Sequence, residues 1–258
     1  MILAADNLHA FNPVIADALQ RLDARPIQDL AKRCQQPGVQ FIDINPGYLS
    51  RRHEDRMTFM VEAVQEVSTL RLILDSPNSR VLVRGLAVCR DKPVLSALSL
   101  EEHKLREILP LAVEHGTPLV LLLMDGQSRV PPRMEEKLAL AIELRERAVA
   151  AGMKPGDLIV DPVMPNAAWP DAFSQVGELV RALRLLSGWS VFPEPMRTMV
   201  GLSNLLSGQR RRFPVAMEQA CLSLLAGTGL EIALVNVLQS ELMATFQQIR
   251  QMTREEGE

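Results

Sequence analysis

Apolar runs of strand length that end in Asp or Asn recur four times along this chain: Phe41–Ile42–Asp43–Ile44–Asn45, Leu72–Ile73–Leu74–Asp75, Leu158–Ile159–Val160–Asp161 and Met199–Val200–Gly201–Leu202–Ser203–Asn204. Short, nearly continuous apolar runs read as strands buried on both faces. A carboxylate or amide at the end of such a strand is costly unless it meets partners. Four endings of this kind call for a fold that gathers the C-terminal ends of its strands around one polar pocket. A (β/α)₈ barrel does so, and it keeps its chemistry at that face.

The rest of the chain fits the same reading. Strands are expected at Ile2–Ala5, Gln40–Ile44, Arg71–Leu74, Pro93–Ala97, Pro118–Met124, Asp157–Val160, Arg197–Leu202 and Glu231–Val235. Segments of helical period separate them, including Pro13–Gln35, Arg56–Val67, Glu101–His115 and Arg133–Ala151. Ser99, with Glu101 and Glu102 behind it, reads as a helix N-cap followed by acids in the first turn. Gly38, Gly116 and Gly152 fall just after helical stretches, where the chain needs positive φ. The length of 258 residues suits one barrel spanning residues 1–258. An open doubly wound sheet is the alternative, but the turn expected after the first strand, Asp6–Asn7–Leu8–His9, lacks the glycines of a dinucleotide fingerprint.

Composition excludes several classes of function. A net charge of −3 argues against nucleic acid as the main partner. No apolar stretch approaches the ~18 residues of a membrane span. The N-terminal segment, with no Lys or Arg before Arg21, does not read as a secretory leader. Cys34, Cys89 and Cys221 are too scattered for a metal site, so no metal is expected and a cytoplasmic setting is.

The candidate site follows from the strand endings. Asp43 and Asn45 are two residues apart and point to one side of their strand; if Ile42 and Ile44 face the helices, both polar groups face the barrel axis. An Asx-turn at Pro46–Gly47 is the competing reading for Asn45. Asp75 precedes Ser76–Pro77–Asn78, which is also good turn chemistry. Asp161 is held extended by Pro162. Asp75 and Asp161 together could accept paired N–H bonds from one heterocycle, such as an aminopyrimidinone edge. Gly201 permits close approach, and Asn204 can both donate and accept. Arg210–Arg211–Arg212 reads as a solvated charge run or an anion contact. His9 is placed to face the pocket, whereas His53, His103 and His115 read as surface residues.

Asp43–Ile44–Asn45–Pro46–Gly47, Leu74–Asp75–Ser76–Pro77–Asn78, Leu109–Pro110–Leu111–Ala112–Val113–Glu114–His115–Gly116, Val160–Asp161–Pro162 and Val200–Gly201–Leu202–Ser203–Asn204 occur in this order. With their spacing, they resemble the methyltetrahydrofolate:corrinoid/iron–sulfur protein methyltransferases. The wider group includes the pterin-binding domain of cobalamin-dependent methionine synthase and, more distantly, dihydropteroate synthase. The resemblance implies a dihydropteroate-synthase-like (β/α)₈ TIM barrel that binds a pterin ring in its mouth. It implies that Asp75 and Asp161 hold the ring and that Asn204 is the catalytic contact near N5. Asp43, Asn45, Asn78, Ser96, Gly201 and Ser203 would be substrate-binding neighbours. It further implies tetrahydrofolate or a related tetrahydropterin as substrate, a cobalamin or other corrinoid carried by a partner protein, and a homodimer.

The expected activity is therefore methyl transfer between N5 of methyltetrahydrofolate and the cobalt of a corrinoid protein. A non-catalytic or altered pterin-binding barrel, or a barrel enzyme for a different heterocycle, is the alternative. Three departures from the family pattern bear on it. Ser96 stands where the fourth strand usually ends in a pterin-binding Asn. Ala5–Asp6–Asn7–Leu8–His9 replaces a Gly-Glu-Arg-Ile-Asn type segment. Glu218–Gln219 stands near the place of an Asn-Arg pair.

Overall fold

The computed structural model describes residues 1–209 and 212–253; Arg210 and Arg211 of the basic run lie outside the described residues. Eight parallel strands close into a barrel in chain order, the last pairing with the first. In order the elements are β1 (Ile2–His9), α1 (Pro13–Arg21), α2 (Ala24–Cys34), β2 (Val39–Asn45), α3 (Asp55–Gln65), β3 (Arg71–Asp75), α4 (Ser79–Leu86), β4 (Val94–Leu98) and α5 (Glu102–His115). They continue as β5 (Leu119–Leu122), α6 (Met134–Ala150), β6 (Leu158–Asp161), α7 (Ala172–Leu186), β7 (Arg197–Gly201), α8 (Ala216–Ala226), β8 (Ile232–Val235) and α9 (Ser240–Met252). Among the described residues, no helix is long and apolar enough to cross a membrane.

The strand period of two sorts each strand into an inner and an outer face. Ala4, Phe41, Ile73, Val94, Val120, Ile159, Met199 and Ile232, one from each strand, pack together inside the ring. Ile42, Ile44, Leu72, Leu74, Val160 and Val200 belong instead to the larger core between strands and helices. Two residues beyond the inner apolar layer stand Asp6, Asp43, Asp75, Ser96, Leu122, Asp161, Gly201 and Leu234. The pleat thus turns a run of apolar residues into a dry plug with a largely polar layer above it.

Three local expectations are corrected, and one alternative is set aside. The first strand does not end at Ala5: it continues through Asp6–Asn7–Leu8 to His9, with an irregularity in its pairing to β2 between Ala5 and Leu8. Polar residues read as a turn therefore belong to the barrel wall. The stretch Pro13–Gln35 is two helices, because Leu22 takes φ 56 and closes the first, while Asp23 caps the second by accepting from the Arg25 N–H at 3.1 Å. Ser99 does not cap α5. Glu101 occupies that position, and the buried Ser99 hydroxyl donates to its carboxylate at 2.7 Å. The open-sheet alternative is overturned by ring closure.

Gly38, Gly116 and Gly152 all have positive φ, as expected. Gly38 (φ +90) also lies against the ring of Phe246 in α9, where a Cβ would come within 2.3 Å of Cε1. Gly38→Ala is therefore expected to combine backbone strain with overlap against a buried ring, at a cost of roughly 2–4 kcal/mol. Urea unfolding midpoints would reveal this, and an unchanged midpoint would refute the packing argument.

Candidate active site

At the C-terminal ends of the strands lies a cavity of about 510 Å³. β1 and the turn after it supply Asp6, Asn7, His9, Phe11 and Asn12. β2 supplies Asp43 and Asn45, and β3 supplies Asp75. Ser203, Asn204 and Ser207 come from the segment after β7, and Leu234 with Asn236 from the end of β8. Among the described residues, no lysine or arginine lines this space. Its described wall is acidic and amide-rich, which suits a ligand that presents N–H donors.

Several of the polar groups are fixed by neighbours. Asn45 does both things that the sequence left open: its Oδ1 accepts from the Gly47 N–H at 2.9 Å, an Asx-turn, while its Nδ2 donates to Asp75 Oδ2 at 2.7 Å. Across the seam of the barrel, Asn7 Nδ2 donates to Asn236 Oδ1 at 2.6 Å, and the Val237 N–H donates to Asn7 Oδ1 at 3.2 Å. Asn12 Nδ2 donates to the Asn7 carbonyl at 3.2 Å.

Asn204 sits in a short 3-10 segment, Leu202–Leu206, and its side chain is exposed at the rim. Its carbonyl is anchored by Asn166 Nδ2 at 2.9 Å, and the same amide group reaches the Ser207 carbonyl at 2.9 Å. Gly201 leaves room for the Asn204 amide, since a Cβ there would approach Nδ2 to 3.1 Å.

Of the residues expected from sequence, Asp43, Asn45, Asp75, Ser203 and Asn204 come together on the cavity wall. Asp161 is buried in the same polar layer behind it, where its carboxylate accepts from the Val163 N–H at 2.8 Å. Gly201 is buried at the end of β7, where its N–H donates to the Asp161 carboxylate. Ser96 lies in register with Asp75, and its carbonyl accepts from the Ser76 N–H at 3.0 Å. Asn78 is spent on structure: its Oδ1 accepts from the Arg80 N–H at 3.0 Å and caps α4. His9 lines the cavity, whereas His53, His103 and His115 are exposed.

Sequence reasoning missed Asp6, Asn7, Asn12 and Asn236. The signal for Asn236 was present, because Ile232–Ala233–Leu234–Val235–Asn236 is a fifth apolar run with an amide ending. Asp6 and Asn7 were hidden by ending the first strand too early.

The layer is electrostatically crowded. Burial pushes the Asp43 carboxyl well above the usual carboxylate range, and the charges of Asp75 and Asp6 push the same way. Burial also raises Asp75 to about 6, against the lowering effects of the Asn45 hydrogen bond and the Lys104 charge. Asp161 is likewise raised by burial to about 6; the N–H groups of Val163 and Gly201 and the Lys137 charge oppose this, and Asp75 adds to it. Burial and mutual repulsion thus favour the protonated forms of these carboxyls more than in isolated side chains.

A family model described as pterin binding enzyme matches residues 14–236. Methylcorrinoid:tetrahydrofolate methyltransferase from Eubacterium limosum is 24% identical over 248 residues, covering 95% of this chain and 89% of that protein. Methionine synthase from Mycobacterium leprae is 25% identical over 233 residues, covering 86% of this chain but only 19% of that much longer protein. Among solved structures, 7,8-dihydropteroate synthase from Vibrio fischeri superposes with a TM-score of 0.67 at 17% identity, covering 98% and 94% of the two chains. Dihydropteroate synthase from Yersinia pestis gives 0.67 at 21% identity, with 97% and 92% covered. At these identities the superpositions speak to fold alone.

Proposed function

Because the chain belongs to the pterin binding enzyme family, we propose that its cavity holds a tetrahydropterin and that the protein moves a methyl group between N5 of that ring and the cobalt of a corrinoid carried by a separate protein. The observation that carries this reading is the placement of Asp75. It is a buried carboxylate on the cavity wall, oriented by Asn45, with the amide of Asn204 at the rim of the same space. A volume of about 510 Å³ is also within the usual range for small-molecule sites. The Eubacterium limosum relative carries both methylcorrinoid and tetrahydrofolate in its name.

In this reading Asp75, with Asp161 behind it, accepts N–H bonds from the aminopyrimidinone edge, and Asp43, Asn45 and Ser203 complete the wall. The ring is thereby oriented with N5 toward Asn204. When methyl leaves, the C–N5 bond breaks, the nitrogen keeps the electron pair and a proton joins it. A neutral amide can follow that change, accepting from a protonated nitrogen or donating to an unprotonated one. Asn204 thus stabilises developing charge without becoming ionised, and the carboxylates supply orientation. The corrinoid, when present, supplies a cobalt(I) centre that takes up the methyl group. By family resemblance the protein acts as a homodimer.

The test is to mix the protein with cobalt(I) cobalamin and methyltetrahydrofolate and follow methylcobalamin formation by absorbance. Rates well above background are expected. Background rates in a protein that binds the pterin would reject methyl transfer and leave an altered pterin-binding barrel. Ser96 is the observation that favours this second reading, since its hydroxyl is shorter than an amide and offers fewer bonds.

A further inference from the structure

A lysine on a barrel's outer helix ordinarily sends its ammonium to water along an extended stem. Lys137 does the opposite. It lies in the first turns of α6, only 2% exposed, and its Nζ donates to the Pro162 carbonyl at 2.7 Å. Pro162 directly follows Asp161. The next residue, Val163, holds φ 63, a conformation that β-branched residues rarely adopt, and its N–H donates to Asp161 Oδ1. The turn is thus pinned on one side by the buried ammonium and on the other by the Asp161 carboxylate.

We propose that Lys137 is a positioning residue that anchors the Asp161–Pro162–Val163 turn and adds a positive charge to the Val163 and Gly201 N–H groups in favouring Asp161 as an ionised acceptor for the ring bound in the mouth. The second half of this inference rests on the pterin reading above. The charged groups acting on Lys137 are Asp161 from β6 and Glu136 from its own helix; those acting on Asp161 are Lys137 and, from β3, Asp75. Burial lowers Lys137 to about 8, with Asp161 and Glu136 pulling it back up. With Asp161 at about 6, the pair is doubly charged across the neutral range. Lys104 on α5 stands in a comparable place near Asp75, but its charge is already shared with Glu101 at 2.6 Å. Lys137 meets a neutral carbonyl, so its charge is available to Asp161.

The experiment follows the Asp161 carboxyl by ¹³C NMR titration in the ligand-free protein, and tetrahydrofolate affinity against pH, in wild type, K137M and K137R. K137M is expected to raise the Asp161 midpoint by about 1–2 pH units, since an opposing charge beside a buried carboxyl is lost. Tetrahydrofolate affinity then weakens several-fold at pH 7, and the difference closes by pH 9, where Lys137 itself is neutral. K137R keeps the wild-type midpoint. If K137M does not fold, K137Q is read in the same way against K137R. An unmoved midpoint in a folded, charge-free variant overturns the proposal and reduces Lys137 to packing. If the wild type binds no tetrahydrofolate at any pH while the midpoint still moves, the pterin reading fails and the Lys137–Asp161 coupling stands.

Discussion

Asp75→Asn is expected to weaken pterin binding by about 100-fold while making the ligand-free protein more stable at neutral pH. On the proposed reading, the loss follows from exchanging a carboxylate that accepts charge-assisted N–H bonds for an amide with one acceptor oxygen and an opposing NH₂, roughly 3 kcal/mol. The gain follows from the crowded layer. Burial holds Asp75 at about 6 in the folded protein, above its ordinary 3.8. The folded state therefore binds this proton more tightly than the unfolded chain does. The penalty for ionising it is absent below about pH 4, grows as pH rises, and is complete above about pH 6. An asparagine carries no such penalty and still offers Asn45 an acceptor oxygen, so stability at pH 7–8 should rise by roughly 1–3 kcal/mol. Calorimetric binding together with urea unfolding at pH 4 and pH 8 checks both halves. A variant that loses affinity but is destabilised equally at the two pH values would contradict the electrostatic account.

Asn204→Ala separates chemistry from binding. The side chain is exposed at the rim, while the anchor to Asn166 uses the backbone carbonyl and survives the substitution. Folding and pterin affinity should therefore change little. The methyl-transfer rate should fall by about 10²–10³, the scale seen when one donor to developing charge is removed. Single-turnover rates at saturating pterin measure this directly. A loss confined to affinity would assign Asn204 to ground-state binding and remove it from catalysis.

The parts of the molecule that are legible in sequence are those set by short-range periodicity. All eight strands can be placed from apolar runs, and the alternation Phe41–Asp43–Asn45 puts the polar pair on one face, which is turned to the barrel axis once Ile42 and Ile44 are given to the helices. Residues whose roles depend on distant neighbours are not legible. Leu22 turns left-handed between two good helical segments, with no glycine to announce it. Asp6 and Asn7 look like a turn because polar residues usually end strands; here the wall of a second-layer cavity continues the strand through them. Lys137 is the clearest case. On a helix rich in charged residues a lysine reads as solvated, and only the path of the chain brings the Pro162 carbonyl over its ammonium. Arg210 and Arg211, which the sequence marks as a candidate anion contact, lie outside the described residues.

The pairing of the first strand with the last has a consequence for how the cavity comes into being. Asn7 and Asn236 hold each other across that seam, and both stand on the cavity wall. During synthesis, a chain that has made the β3 and β7 portions of the wall still has an open side until β8 emerges and the loop behind it reaches Asn7. The described cavity wall is thus completed only when the ring closes. A ligand that binds only the complete mouth would favour the closed form over any state in which the terminal strands have separated, and so would act as a clasp on the opposite ends of the polypeptide.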